Sequence, residues 1–172
     1  MSLLRTLTAA ALVTLAACSA PAKSPEGPPA VPGAPAFELR LASSNRSKLR
    51  DGWTEMQVRG DTKGSILVSP RALLRVEDVD NAALSKGDSP ALLLSVRPSA
   101  RELLTAETQA HLYNEKTNPD EWIVMMVDGH VVYIARLGLP LNKQVSVRIG
   151  REALTREEAD RCIDAIRRQG GR

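Results

Sequence analysis

The sequence predicts an α+β fold, a largely antiparallel sheet with two main helices packed on one face. Three observations carry this reading. Asp128-Gly129 stands between two apolar runs, a strong signal for a tight antiparallel hairpin. Segments opening at Ser99 and Thr155 each place a glutamate three positions later, the reciprocal capping pattern of a helix start. Phe37 to Leu41 and Val145 to Ile149 alternate apolar with polar residues, and Ala91 to Val96 puts Leu92, Leu94 and Val96 on one side, as half-buried strands require.

Taken in order, the first strand alternates Phe37, Leu39 and Leu41 with Glu38 and Arg40. A polar stretch follows, Ser43 to Gly52, with Arg46, Lys48 and Arg50; as a solvated basic loop it is a weak lipid or cell-wall contact, because local charge is screened by salt. Trp53 to Arg59 and Ser65 to Val68 read as two strands around a turn-rich loop, Gly60 to Gly64. Leu73 to Val79 is expected to hold a short helical turn. The helix from Ser99 carries a stripe of Leu103, Ala106, Ala110 and Tyr113, and Asn118-Pro119 closes the segment. Trp122 to Val127 is apolar throughout, as in an interior strand covered on both faces, and Val131 to Leu137 returns antiparallel. The last helix has its apolar stripe at Ala159, Cys162, Ile163 and Ile166. Glu157 with Arg161 and Asp164 with Arg168 are spaced for ion pairs on its wet side.

The N-terminus has a different character. Arg5 precedes an apolar stretch, Thr6 to Ala17, too short to span a bilayer, and it ends in Leu15-Ala16-Ala17-Cys18. This resembles the lipobox of bacterial lipoproteins, in which the cysteine is acylated and becomes the mature N-terminus. The resemblance implies a signal peptide over 1–17, a lipid on Cys18, and a protein held to a membrane through that lipid. Ser19 is not the aspartate associated with inner-membrane retention, so the expected address is the cell envelope, as an outer-membrane lipoprotein facing the periplasm. From 18 to 35 the chain is rich in Pro and Ala, cannot bury enough to fold, and reads as a tether. The folded domain is expected over 36–172.

With 43% hydrophobic residues and only 3% aromatic, the core must rest on Leu, Val, Ile and Ala. The 23 basic and 20 acidic residues nearly balance and leave no basic footprint for nucleic acid. Besides Cys18 the chain has only Cys162, which its helical spacing marks as a buried small hydrophobe. His111 and His130 have no metal-ligand partner at useful spacing and read as surface or turn residues. Paired acids such as Asp78 and Asp80 read as solvated, and there is no nucleophile elbow or phosphate-cradling loop. The expectation is therefore a non-catalytic protein with no cofactor and no metal.

Several segments in order resemble the first periplasmic head subdomain of the SecD protein-export subunit. They are Leu92-Leu93-Leu94-Ser95-Val96-Arg97-Pro98 with the helix behind it, Ile123 to Val132 (IVMMVDGHVV), and Ile149 to Ile166 with Leu154-Thr155-Arg156-Glu157-Glu158-Ala159. The likeness runs from about Gly64 to Arg168. It implies a polypeptide-binding or export-accessory module, with exported polypeptide or an envelope or export protein as partner. The alternative is a structural scaffold binding one defined membrane or cell-wall partner. Where the family's returning strand commonly continues into Ser-Ala-Pro, this chain has Tyr133-Ile134-Ala135-Arg136. That departure sets the strand apart from the family's binding surface. The candidate interaction surface in this chain is Asp128, Gly129, His130, Tyr133 and Arg136.

Overall fold

A computed structural model describes residues 37–60, 64–150 and 153–170. The signal segment, Cys18 and the tether lie outside the described residues. The fold is α+β, as expected, with eight strands and two main helices among the described residues.

The strands divide between two sheets rather than one. Five, in the order β2 (Thr54–Gln57), β3 (Ser65–Arg75), β1 (Phe37–Ser43), β6 (Glu121–Val127) and β7 (His130–Ala135), form the larger sheet. Three, β4 (Val79–Leu84), β5 (Ala91–Val96) and β8 (Gln144–Arg148), form the smaller. Every pairing between named strands is antiparallel.

The larger sheet curls until its edges meet. Val58, just past β2, bridges Val131 of β7 in parallel, and the Arg59 amide donates to the Val131 carbonyl at 3.0 Å. Ala42, Ile66, Val68, Val124, Met126 and Val131 fill the inside of the curl. Its other face joins the main core, where Phe37, Leu39, Ile123 and Met125 meet Leu92, Leu94 and Val147 of the smaller sheet. β6 therefore lies between two cores, which explains why its sequence is apolar at successive positions. Each such aliphatic side chain withdrawn from water contributes about 2 kcal/mol.

The second main helix, α2 (Arg156–Gly170), matches its sequence. Thr155 and Glu158 form the capping box: the Glu158 amide donates to Thr155 Oγ1 at 3.2 Å, and the Thr155 amide donates to Glu158 Oε2 at 3.0 Å. Ala159, Cys162, Ile163 and Ile166 are all buried in the main core. The expected ion pairs are rearranged. Arg161 reaches Asp128 of the hairpin at 3.4 Å, and Asp164 takes Arg167 at 3.9 Å, while Arg168 donates to the Asp164 carbonyl at 3.2 Å.

The first main helix, α1 (Pro98–Ala110), departs from expectation. It starts with Pro98 at its first position and Arg97 as N-cap, with no side-chain cap bond, so the Ser99 capping box does not form. Proline presets the helical φ at the first position, where its missing amide would have had no intrahelical partner. The buried stripe is also shifted by one: Leu104 and Thr108 face inward while Leu103 is 54% exposed. Thr108 tolerates burial because its hydroxyl donates to the Leu104 carbonyl at 2.6 Å and accepts the Leu141 amide at 3.0 Å. Tyr113 lies beyond the helix.

Leu73 to Val79 does hold a short helical turn, over only part of its length. Leu73, Leu74 and Arg75 complete β3, and only Val76–Asp78 form a 3₁₀ turn before β4 begins. Pairing of Leu74 with Leu39 and of Ala72 with Arg40 holds that stretch extended. β4 was not anticipated: a register shift between Val79 and Asn81 breaks its alternation, leaving Val79 and Ala82 as its buried residues.

Candidate functional site

The hairpin expected at Asp128-Gly129 is formed, with φ of 52° at Asp128 and 81° at Gly129. Both values lie in the left-handed region that a two-residue hairpin turn of this type demands. Asp128, Gly129 and His130 are exposed together at this tip, with Asp128 tied to Arg161 of α2. Tyr133 is half-buried and packs against the main core. Arg136 sits past the opposite end of β7, about 20 Å away at the rise of a strand. The structure thus gathers three of the five candidate residues at one tip and places Arg136 in separate surroundings.

Those surroundings are aromatic. The Arg136 guanidinium lies 4.2 Å from the centroid of the Tyr113 ring and 4.8 Å from that of Trp122. Tyr113 is fixed beside β7 because its amide donates to the Leu137 carbonyl at 2.8 Å. Trp122 is held on β6 opposite Ala42, and its indole Nε1 is buried without a hydrogen-bond partner.

A second feature escaped the sequence reading. An open groove of about 880 Å³ runs between the later half of β3, from Pro70 to Arg75, and the first turns of α1 at Ser99, Ala100 and Leu103. β2 pairs only with Ser65 to Val68, so beyond that point β1 is the one strand beside β3 among the described residues. The groove's charges are largely met within the protein. Arg71 pairs with Glu107 at 2.8 Å, Arg75 with Glu38 at 3.5 Å, and the Arg75 amide donates to Asp78 at 2.9 Å. The Arg40 guanidinium donates to the carbonyls of Ser69 and Pro70 at 2.8 and 2.9 Å. Leu103 stands at the rim as an exposed apolar side chain. The available signal was Pro70, since proline inside a strand marks an edge.

Other ionisable groups are engaged in structure. Arg59, at the seam of the curl, donates to both Glu158 oxygens at 2.8 and 2.7 Å. Burial pushes the Glu158 carboxyl up, but hydrogen bonds from Arg59 and Thr155 outweigh it and hold the group below the usual carboxylate range. Burial pushes the Cys162 thiol up to about 12, which keeps it protonated and unreactive. His111, at the end of α1, lies 3.3 Å from the buried Glu121, which Lys48 approaches at 3.4 Å. Among the described residues, no group of three or more His, Cys, Asp or Glu side chains is placed to hold a metal ion.

No protein-family model matches the sequence, and a comparison with curated proteins finds no match. Solved structures do match. The chain superposes on SecDF in a form called super-membrane-facing, with TM-score 0.51, 14% identity, and coverage of 77% of this chain and 18% of that one. It superposes equally on a structure described as a membrane component SecDF that enhances protein export, with TM-score 0.52, 14% identity, and 77% and 61% coverage. The fold has a counterpart in SecDF. At this identity the likeness is one of fold, and the chain spans only part of either neighbour's length. No helix among the described residues is long and apolar enough to cross a membrane.

Proposed function

We propose that this protein is a lipid-anchored, non-catalytic envelope module that binds extended polypeptide and assists protein export. The observation that carries the reading is the SecDF-like fold over 77% of the chain. The groove beside β3 supports it as the docking place. A strand with a neighbour on one side only, facing a helix with an exposed leucine, suits an extended chain added by backbone pairing with apolar side-chain contact. The lipobox supports attachment through Cys18, and the Pro-rich segment then carries the domain away from the bilayer surface, by at most about 50 Å at polyproline rise.

Site-specific photocrosslinking in intact cells tests this. Probes at Leu103 and Ala72, with exposed Ser146 of the smaller sheet as control, are expected to capture many unrelated exported chains from the groove alone. Leu103→Glu is expected to abolish capture while leaving the unfolding midpoint unchanged. Capture of one stoichiometric partner would turn the reading to a scaffold, and equal capture from Ser146 would remove the groove from it. Cys18→Ala is expected to shift the protein from the membrane to the soluble fraction, and retention at the membrane would refute lipid attachment.

A further inference from the structure

The described arginines mostly spend their donors inside the protein. Arg40, Arg46, Arg59 and Arg71 meet glutamates, while Arg97 and Arg101 donate to backbone carbonyls. Arg136 is held differently. Its guanidinium lies over two aromatic rings, those of Tyr113 and Trp122, and no protein acceptor takes any of its N–H groups among the described residues.

Contact with the ring faces takes up none of the guanidinium's hydrogen-bond donors. Its fork of donors has the geometry that matches the two oxygens of a carboxylate. Because the rings already fix the side chain, little rotamer freedom remains to be lost when a ligand arrives. Arg136 is exposed.

From this arrangement we infer that Arg136, held over the rings of Tyr113 and Trp122, is a binding site for a carboxylate of a partner polypeptide. A single guanidinium beside two aromatic rings suits a monoanion attached to an organic chain. A phosphate group, carrying close to two charges and three acceptor oxygens, calls for several cations together. The site is formed by the residue just past β7, by β6 and by the segment after α1, apart from the groove residues of β3, and does not depend on the groove being occupied. The carboxylate comes either from an acidic side chain or from a chain's C-terminus, and both present the same two oxygens.

Trp122 fluorescence in a Trp53→Phe background provides the readout, since the chain has two tryptophans. Three short peptides are titrated into the purified protein: one with an internal glutamate and an amidated end, the same peptide with glutamine, and the glutamine peptide with a free C-terminus. Saturable quenching by the first or third, with the second at least about tenfold weaker, is expected, and which of the two responds names the source of the carboxylate. Arg136→Gln should abolish the response, and Arg136→Lys should weaken it because an ammonium lacks the fork, with far-ultraviolet circular dichroism unchanged in both. Equal binding of the amidated glutamine peptide, an unchanged Arg136→Gln titration, or saturation by inorganic phosphate in preference to the peptides would each overturn the assignment.

Discussion

The two main helices teach opposite lessons about where a helix gets its orientation. α2 carries Arg156, Glu157, Asp160, Arg161, Asp164, Arg167 and Arg168 around a stripe of Ala159, Cys162, Ile163 and Ile166. Only one rotation hides the stripe and leaves those charges in water, so its own residues fix its phase. α1 has few charges, and its leucines are adjacent, Leu103 and Leu104, so two rotations are nearly equivalent by sequence. The segment around Leu141 decides between them: it donates its amide to Thr108 and accepts the Thr105 hydroxyl at 3.0 Å. A contact from residues about thirty positions downstream sets the face that local spacing leaves open.

The contrast can be broken most forcefully at Leu104. Leu104→Ala is expected to cost about 3 kcal/mol in denaturant unfolding, and Leu103→Ala less than about 0.5 kcal/mol. Reversed costs would restore the phase read from the sequence. Next comes Thr108→Val, which keeps the shape but strands the Leu141 amide; a loss of about 2 kcal/mol is expected, and a neutral result would show that the loop does not hold the helix. Capping gives a smaller difference. Thr155→Ala should lose about 1 kcal/mol, whereas Ser99→Ala should stay within a few tenths, because α1 has no side-chain cap to lose.

The last effect is one of slope. The native Glu158 carboxyl titrates below its ordinary value of 4.5, so its contribution is complete above that value and is lost as pH falls through the native one. The stability gap between the wild type and Glu158→Gln should therefore narrow on acidification from neutral to about pH 3. A gap that stays constant with pH would deny Glu158 this role.

What could be read from the sequence follows the same division. The Asp128-Gly129 turn, the α2 stripe and its capping box, and the alternation of β1 and β8 are local patterns, and the structure contains them. β4 was hidden because a bulge interrupts its alternation, leaving Val79 and Ala82 as its buried residues. The Ser99 pattern misled because Pro98 takes the first helical position and leaves Ser99 inside the first turn rather than at the N-cap. Arg136 was visible as a departure from the family's Ser-Ala-Pro, but its aromatic neighbours were not. Tyr113 and Trp122 reach it across separate elements, and nothing in the spacing of the three residues announces a meeting. The groove was foreshadowed only by Pro70, because how far β2 extends along β3 is set by pairing rather than by composition.

The seam between Val58 and Val131 bears on how the domain can be completed over time. A chain released N-terminus first, from a ribosome or through a membrane pore, presents β1, β2 and β3 well before β6 and β7. Until β7 follows, Ile66 and Val68 have no Val124 or Val131 to cover them, and the curl stays open with its apolar lining in water. Long-range closure of this kind slows folding, because the loop must be ordered before the contacts that stabilise it exist. Maturation of the early strands is therefore set by the arrival of the hairpin at Asp128, and an arrested chain lacking that hairpin would expose an uncovered β-surface, the form most prone to self-association.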